Sequence, residues 1–408
     1  MKATDGGREE LLATYLAGLP DDPARAAAAA AAFAEGQTIG TWQPVPGITN
    51  AMRERHGGRI VELRPLEANE RVAGEAASGP ATTWLLTVAF PTINIGAQFP
   101  MLVTTLLGND PSTSIEARLV EITLPDAFAR EFPGPIEGTA GWRRISGVAD
   151  RPLVLNMIKP CTGYPPAVGA GFVEASARGG VDLIKDDELL ADPSFNRVAE
   201  RARVYRARLE GVAAETGHRA RYVANVTTRS ERLVATARAA LDGGADGLMV
   251  NALAIGFDAL QMLAEARLGA PILAHTAGIE TFTGSPAGGY GHRLLLGRLL
   301  RLAGADAVLT STPHAPRPLD ASRYRAILEA CRDGWAGLRP TMPMVGGGLT
   351  EDHVAALVEA AGNDLIIGVG GAIQGHPDGA AAGGRQIMAA LRDAVARGGP
   401  VGAATGPA

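Results

Sequence analysis

The sequence is short of cysteine and has no long hydrophobic run. Its two cysteines, Cys161 and Cys331, are too few for a disulfide framework in a chain of 408 residues. No apolar stretch approaches the roughly 20 residues that a membrane-spanning helix requires. The opening segment MKATDGGREELL has neither the apolar core of a signal peptide nor an Arg-rich amphipathic pattern. These absences predict a cytoplasmic protein without a membrane partner.

The sequence also lacks an excess of basic charge. Its 38 Lys and Arg residues are scattered among 43 Asp and Glu residues, for a formal net charge of -5. Because the sequence has no run of basic residues, it does not predict a positively charged surface that would bind nucleic acid. We therefore expect a small ligand that binds at a single site. A hydrophobic content of 46% in a chain of this length is enough for one large domain and a smaller one.

The first 140 residues mix helical and strand patterns. The run PARAAAAAAAFAEG, with Pro at its start and Gly36 at its end, predicts a helix. Two runs rich in β-branched residues, TWLLTVAFP at 83–91 and ARLVEITLP at 117–125, predict strands, and QFPMLVTTLLGN between them predicts another helix. This order predicts an N-terminal α+β domain over residues 1–140, ferredoxin-like and with an antiparallel sheet.

Residues 141–397 show a repeating pattern of short apolar runs and amphipathic helical segments. The eight runs are PLVLNMIKP, VDLIKDDE, RYVANVT, GLMVNA, PILAHT, AVLTST, MPMVGGG and DLIIGVGG. Eight strands that alternate with helices predict a (β/α)8 barrel, the α/β fold of a TIM barrel. The Gly-rich segment 398–408 that follows is expected to be a flexible tail.

The residues that close these runs are polar or are glycines. Because a (β/α)8 barrel carries its functional groups at the C-terminal ends of its strands, these positions form the candidate site. In strand order the main candidates are Lys159, Lys185 with Asp187 and Glu188, His275, Thr310, Gly346–Gly348, and Gly370 with Gly371. The collection is too polar for a packing role and predicts binding or catalysis.

The run VDLIKDDE places a lysine beside three carboxylates at a strand end. Because residues two apart in a strand share a face, Lys185 and Asp187 point the same way, and Glu188 follows as the chain leaves the strand. Such a group can be a structural ion pair in a solvated loop. At the end of a barrel strand, two carboxylates are also hard oxygen ligands of the kind that Mg²⁺ accepts. This second interpretation lacks a third protein ligand.

The segment GVDLIKDDE resembles the Gly-x-Asp-x-x-Lys-x-Asp-Glu signature of ribulose-bisphosphate carboxylase (RuBisCO) large subunits and RuBisCO-like proteins. In that family the lysine is carbamylated by CO2, and the carbamate binds Mg²⁺ together with the Asp and the Glu. The resemblance therefore implies that Lys185 supplies the missing ligand as a carbamate, beside Asp187 and Glu188. A lysine shielded from water can offer the neutral amine that this reaction needs.

Other segments resemble the same family in the same order. NMIKP and AHTAG match strand-end segments, which implies catalytic roles for Lys159 and His275. VGGGLT and GVGGAIQGHPDG match glycine segments that bind phosphate through their main chain, which implies Gly347, Gly348, Gly370 and Gly371 as ligands. Taken alone, these glycines can also be explained as tight turns.

Two N-terminal segments, AFAEGQTIGTW and LVTTLLGND, match parts of the family that reach the active site of the partner subunit. The resemblance thus implies a homodimer with shared active sites, and no small subunit is expected. The residues to which it assigns this role are Glu35, Thr41, Trp42 and Asn109.

Several positions depart from the family pattern. They are Cys161 in place of the second catalytic lysine, Thr276 in place of the arginine after the histidine, Leu309, Thr310 and Ser311 in place of His-Ser-Gly, and Gly346 in place of a serine. The loop TPHAPRPLD also lacks the lysine that closes over CO2. Because Thr276, Leu309 and Gly346 stand where the family holds one of two phosphates, we expect a substrate with a single phosphate and no CO2 fixation.

The residues that remain are those expected for metal-stabilised enediolate formation. Lys159 or the carbamate on Lys185 would move the proton, and His275 would assist. The first hypothesis is a decarboxylase or related C–C lyase of a singly phosphorylated 3-oxo sugar acid, as in apiose catabolism. The alternatives are an enolase or isomerase of a phosphorylated methylthio ketose, as in methionine salvage, with Met157, Leu309 and Cys161 around an apolar pocket, and a non-catalytic sugar-phosphate-binding protein.

Overall fold

The computed structural model of the protein describes residues 8–40, 45–76, 83–109, 115–285 and 288–398. The chain forms two compact units. The first contains the residues up to Gly134 together with Gly278–Ala303 and Arg325–Leu338, and the second contains Pro135–Ala277, Gly304–Tyr324 and the residues from Arg339 onwards. Neither unit is therefore continuous in sequence.

Strands and helices follow one another along the described segments. The strands are β1 (Glu10–Gly18), β2 (Arg59–Pro65), β3 (Arg71–Val72), β4 (Glu75–Ala76), β5 (Thr83–Pro91), β6 (Ala117–Thr123), β7 (Leu153–Met157), β8 (Leu183–Lys185), β9 (Arg221–Asn225), β10 (Gly247–Asn251), β11 (Ile272–His275), β12 (Gly289–Tyr290), β13 (Ala307–Thr310), β14 (Met342–Val345) and β15 (Ile366–Val369). The α-helices are Pro23–Gly36, Asn50–His56, Phe99–Leu107, Asp126–Ala129, Gly138–Ser146, Pro166–Arg178, Val198–Thr216, Ser230–Gly243, Ala252–Ile255, Phe257–Glu265, Ile279–Thr283, Leu300–Leu302, Ala321–Arg332, Glu351–Ala361, Gly371–Gln374 and Ala380–Gly398. Arg293–Leu299 is a π-helix, and Thr92–Asn94 and Trp335–Gly337 are 3-10 helices.

The first unit contains a five-stranded sheet with the order β12-β6-β1-β5-β2. Strand β1 pairs antiparallel with β5 and with β6, and β2 pairs antiparallel with β5. The two-residue strand β12, which comes from the segment after β11, pairs parallel with β6. The sheet is therefore mixed, whereas the sequence predicted an antiparallel one.

Strand β1 was not predicted from the sequence. Its residues, ELLATYLAG, include Leu, Ala and Glu, which favour a helix at least as well as a strand. Pairing on both sides decides the outcome, because Leu11, Ala13 and Tyr15 become fully buried in the centre of the sheet.

The predicted helix Pro23–Gly36 forms with the expected bounds. Asp22 caps its start by accepting a hydrogen bond from Arg25 N at 2.9 Å, and Pro23 occupies the first turn, where no helical N–H is needed. Ala26, Ala30 and Phe33 form its buried face. The other predicted helix of this unit is confirmed as Phe99–Leu107.

The second unit contains a closed parallel barrel. The strands β7, β8, β9, β10, β11, β13, β14 and β15 follow one another around it in chain order, and β15 pairs with β7 to close it. All eight predicted runs form strands, which confirms the (β/α)8 fold. Strand β8 has only three residues and ends at Lys185.

The interior of the barrel is filled by apolar side chains at alternating strand positions, for example Leu153 and Leu155, or Met342 and Met344. Trp142, from the helix Gly138–Ser146, packs against this core near Gly247, the first residue of β10. The N-terminal end of the barrel is thus filled, and the C-terminal ends of the strands are left for the site.

The last helix, Ala380–Gly398, extends to the first residue of the predicted tail, and the rest of that tail lies outside the described residues. None of the helices in the described ranges combines the length and the apolarity needed to span a membrane.

The barrel core leads to a first prediction. Leu183→Ala removes a fully buried leucine from β8 and should lower the free energy of unfolding by about 2–5 kcal/mol, because the core cannot close over the cavity. Val168→Ala, at a side chain that is 49% exposed, is the control and should change it by less than about 0.5 kcal/mol. Urea unfolding of both variants measures the difference, and equal losses would contradict the core assignment.

Candidate active site

Four of the predicted side chains meet at the C-terminal mouth of the barrel. Lys159, just after β7, approaches Asp187 with a distance of 2.5 Å between Nζ and Oδ2. His275 ends β11, and its Nε2 lies 3.6 Å from Glu188 Oε2. These two contacts join residues that follow three different strands, β7, β8 and β11. The strand-end arrangement expected of a barrel site is therefore present.

Lys185 lies beneath this group and is fully buried. Burial lowers the pKa of Lys185 to about 8, although the carboxylates of Glu188 and Asp187 oppose the shift. Its Nζ donates a hydrogen bond to the main-chain oxygen of Asp186 at 2.9 Å. The amine is thus held in place and is easier to deprotonate than that of an exposed lysine.

Lys159, which is partly exposed, forms an ion pair with the buried Asp187. Burial alone would lower the pKa of Lys159, but hydrogen bonds to Asp187 and to Cys161 raise it overall. Burial likewise opposes ionisation of Asp187, and the bond from Lys159 outweighs it, so the pKa of Asp187 is lowered. Both groups are therefore charged in this arrangement. Lys159 Nζ also donates to Cys161 Sγ at 3.2 Å.

His275 is held as a neutral ring with a defined tautomer. Burial lowers its pKa to about 3, with Lys185 as the next contribution. Nδ1 accepts a hydrogen bond from Ala277 N at 3.2 Å. In a neutral imidazole the other nitrogen then carries the proton, so Nε2 is a donor that faces Glu188 and the mouth of the barrel.

An apolar pair borders the same mouth. Met157 and Leu309 are partly buried and pack on the top of the barrel core. A Cβ atom on Gly346 would lie 3.2 Å from Leu309 Cδ1 and 3.9 Å from Met157 Cε, so both side chains border the space that this glycine leaves. A Cβ on Gly370 would contact Met157 at 3.5 Å and Lys159 Cε at 3.7 Å. Met157 and the stem of Lys159 thus both border the space beside Gly370.

The chain matches known proteins over most of its length. Residues 138–403 match the sequence family described as 'Ribulose bisphosphate carboxylase large chain, catalytic domain'. A ribulose bisphosphate carboxylase-like protein of Archaeoglobus fulgidus is 38% identical, over 87% of this chain and 81% of the relative. A 2,3-diketo-5-methylthiopentyl-1-phosphate enolase of Geobacillus kaustophilus is 36% identical, over 91% of this chain and 90% of the relative. The crystal structure of a RuBisCO-like protein from Alicyclobacillus acidocaldarius has a TM-score of 0.85 at 34% identity, covering 96% of this chain and 95% of that one.

The chain belongs to the RuBisCO large-chain family. Its resemblance to the RuBisCO-like members, inferred from short motifs, is confirmed across both units.

The barrel mouth fits the family's metal in part. Within the ranges that the structure describes, no three His, Cys, Asp or Glu side chains cluster as a metal site. Asp187 and Glu188 provide two carboxylates, and the buried amine that sits with them is Lys185. Two carboxylates and one buried amine are therefore the groups that this part of the mouth can offer to a cation.

Several residues that the sequence analysis placed at the site hydrogen-bond or pack against other groups in this RuBisCO-like chain. The Thr276 hydroxyl donates to Leu309 O at 2.9 Å, and the Thr310 hydroxyl donates to Ser311 O at 3.2 Å. A Cβ on Gly348 would lie 2.6 Å from Pro316 Cδ, so this glycine allows the loop after β13 to pack closely. Gly371 and Gly347, in contrast, have open space where a Cβ would be.

The residues expected to act in the partner subunit lie in the first unit. The carboxylate of Glu35 accepts a hydrogen bond from Arg53 of the same unit. Asn109 is exposed and follows the helix Phe99–Leu107. Thr41 and Trp42 lie outside the described residues.

Two Asn side chains hold the main chain at the site. Asn225 ends β9 and donates through Nδ2 to Asp187 O at 3.1 Å and Glu188 O at 3.2 Å. Asn251 ends β10 and donates to Glu188 O at 2.9 Å. Sequence reasoning missed Asn225, for which the available signal was an Asn at the end of a strand.

A second overlooked signal is the scarcity of lysine. The only lysines in the sequence are Lys2, Lys159 and Lys185. Two of the three thus lie at the barrel mouth, although the chain has 38 Lys and Arg residues together. The few lysines of the chain are thus concentrated at the candidate site.

The two cysteines provide a test of access to the site. Cys161 is half-buried beside Lys159, whereas Cys331 is buried and burial raises its pKa to about 11. We expect an aromatic disulfide reagent at pH 8 to modify one thiol of the native protein rapidly and the second only after denaturation. In Cys161→Ser the rapid phase should disappear. Rapid modification of both thiols would show that the surroundings of Cys331 open.

Proposed function

We propose that the protein is a Mg²⁺-dependent enolase that acts on a singly phosphorylated dicarbonyl compound with an apolar end. The observation that carries the proposal is the apolar pair Met157 and Leu309, whose side chains border the same space beside Gly346. A pocket with this lining favours a thioether or alkyl group over a second phosphate. The name of the 36% identical Geobacillus relative, a methylthio-diketone phosphate enolase, supports the same substrate class.

Asp187, Glu188 and a carbamate on Lys185 are the proposed metal ligands. A divalent cation at this position polarises carbonyl oxygens and so makes the neighbouring C–H group acidic. Lys185 contributes through its burial, because an amine removed from water is less easily protonated and therefore available to CO2.

The chain's own side chains supply the proton transfers. Lys159, charged while paired with Asp187, donates a proton or a hydrogen bond, and it can act as a base only after it leaves that carboxylate and gives its own proton to solvent. His275 presents Nε2–H and stabilises negative charge that develops on a substrate oxygen. In this arrangement the histidine is a donor and not the base.

The single phosphate is proposed to bind to main-chain N–H groups of the glycine segments after β14 and β15. Gly371 and Gly347 have no neighbour where a Cβ would be, which leaves room for a close approach of phosphate oxygens. A homodimer that completes this end with Thr41, Trp42 and Asn109, as the resemblance implies, is part of the proposal.

The decarboxylase hypothesis favoured by the sequence gives way to the enolase alternative. The loss of the CO2-closing lysine is compatible with both reactions. An apolar surface next to Lys159 is less suited to a hydroxylated sugar acid, whose polar groups would lose hydrogen bonds to water there.

The two reactions can be separated with purified protein in the presence of Mg²⁺ and bicarbonate. With 2,3-diketo-5-methylthiopentyl 1-phosphate we expect the ultraviolet absorbance of a conjugated enol, and exchange of the substrate C–H proton with deuterium, without release of CO2. If the protein releases CO2 from a 3-oxo sugar acid phosphate and leaves the diketone unchanged, the enolase proposal is wrong and the decarboxylase hypothesis is correct. Tight binding without either reaction would favour a binding protein.

The role of the apolar pair can be tested at Leu309. Leu309→Asn introduces a polar amide without a partner and should lower kcat/KM for the methylthio substrate by about 10-fold or more. An analogue without the methylthio group should lose much less. Leu309→Met is the control and should stay within about threefold of the parent, because it preserves apolar volume. Equal losses for both substrates in Leu309→Asn would contradict the assignment.

Carbamylation can be observed directly because the chain has so few lysines. Nuclear magnetic resonance of protein equilibrated with Mg²⁺ and ¹³C-bicarbonate should show one lysine carbamate signal, assigned to Lys185. The signal and the activity should both be lost in Lys185→Ala. The signal should persist in Lys159→Arg. Full activity in Lys185→Ala would exclude the carbamate model.

A further inference from the structure

The side chain of Asp186 points away from the barrel mouth into a buried polar cluster. Both Asp186 and Arg201 are fully buried, and Arg201 donates to Asp186 Oδ2 through Nε at 3.2 Å and Nη2 at 3.0 Å. The same oxygen accepts hydrogen bonds from the Tyr222 hydroxyl at 2.6 Å and from Asn225 N at 2.9 Å. One carboxylate oxygen thus joins the end of β8 to β9 and to the helix Val198–Thr216.

The remaining donors of Arg201 hold the loop that leaves the site. Nη1 donates to Asn196 O at 2.7 Å and to Asn196 Oδ1 at 3.0 Å, and Nη2 donates to Ala191 O at 2.7 Å. Because Asp186 and Asn196 are ten residues apart, one guanidinium group fixes both ends of the segment 186–196. A lysine cannot replace it, since an ammonium lacks the planar fork of donors.

The segment that Arg201 anchors is the one that carries the proposed metal ligands. Asp186 lies between Lys185 and Asp187, and its main-chain oxygen holds the Lys185 amine at 2.9 Å. Rotation of the Asp186 peptide group would therefore move the amine and both neighbouring carboxylates. Asn225 holds the other side through the main-chain oxygens of Asp187 and Glu188.

We propose that Arg201 is a positioning residue for the metal site: by fixing Asp186 from behind, it keeps Lys185, Asp187 and Glu188 in the arrangement that binds the cation. The inference rests on the proposed function, because it concerns the metal of that site. A buried ion pair is a poor source of net stability, since desolvation offsets the attraction. It is better suited to fixing one arrangement of the chain. Residues that orient metal ligands in this way have large effects on metal affinity.

The other end of the same strand supplies a control. Arg151 and Asp182 form a bidentate pair at 2.7 and 2.8 Å, just before β8, and Asp182 also accepts from Val154 N at 2.9 Å. This pair supports the same part of the barrel but lies at the opposite end of β8 from the site. A purely structural role for Arg201 predicts similar effects for both arginines.

The experiment measures Mg²⁺ affinity by calorimetry in saturating bicarbonate, at a temperature where urea unfolding shows each variant to be folded. Arg201→Met should bind Mg²⁺ about 10- to 100-fold more weakly than the parent, as is usual when a ligand-orienting residue is lost. Arg201→Lys should recover only part of that loss. Arg151→Met should remain within about threefold of the parent. Hydrogen exchange should be faster across residues 186–196 in Arg201→Met and unchanged there in Arg151→Met.

A milder pair of variants covers the case in which Arg201→Met does not fold. Tyr222→Phe removes one hydrogen bond to Asp186 and should weaken Mg²⁺ binding by at least about threefold. Tyr205→Phe is its control, because Tyr205 packs on Tyr222 with ring centroids 5.0 Å apart and its hydroxyl does not donate to Asp186.

The outcomes separate this inference from the proposed function. If the parent protein binds Mg²⁺ and Arg201→Met or Tyr222→Phe binds it equally well, the positioning role is wrong and the metal-dependent function stands. The same conclusion follows if Arg151→Met weakens binding as much as Arg201→Met. If the parent itself binds no Mg²⁺ in bicarbonate, the proposed function fails and the inference fails with it.

Discussion

The complete burial of the Lys185 amine is the constraint on which the rest of the site depends. An ammonium group removed from water needs either a partner or a lowered pKa, and here the carboxylates and the loss of hydration act in opposite directions. The balance leaves a lysine with a pKa of about 8, so a much larger fraction of its amine is neutral near pH 7 than for an exposed lysine. Exposure to water would restore an ordinary ammonium, so the closed barrel around Lys185 is a chemical requirement as well as a structural one.

The short strand β8 accommodates this constraint by using both of its faces. Lys185 and Asp187 face the mouth, where charge is handled by Lys159, His275 and Glu188. Asp186, between them, faces the layer of helices, where Arg201 neutralises it. Because side chains alternate along a β-strand, the charged groups at the mouth and the Asp186–Arg201 pair lie on opposite faces of consecutive residues. Neither cluster can be shifted without disturbing the other.

The sequence predicted the barrel and the strand-end residues because both depend on local patterns. Each of the eight runs is short, apolar and bounded, and the chain order of the strands follows from the right-handed β-α-β connection. Strand β1 escaped prediction because its Leu and Ala residues do not distinguish a strand from a helix until β5 and β6 pair with it. Strand β12 escaped because two residues carry no periodicity.

At the site, the sequence identified the reacting groups but not what they touch. The tautomer of His275 is set by a local contact with Ala277 N, whereas the pairing of Lys159 with Asp187 and the anchoring of Asp186 by Arg201 are contacts between different elements of the fold. No local pattern encodes them. The sequence also predicted Met157, Leu309 and Cys161 around an apolar pocket, and the structure brings Met157 and Leu309 to the same space beside Gly346.

The three lysines of the chain have one more consequence. Carbon dioxide and other small electrophiles react with neutral amines, and arginine, which stays protonated, offers them none. A chain that carries nearly all of its positive charge on arginine therefore offers few side-chain amines to such reagents. Only Lys2 and Lys159 could compete with Lys185 for a reagent of side-chain amines, which is a property of the composition of the whole molecule.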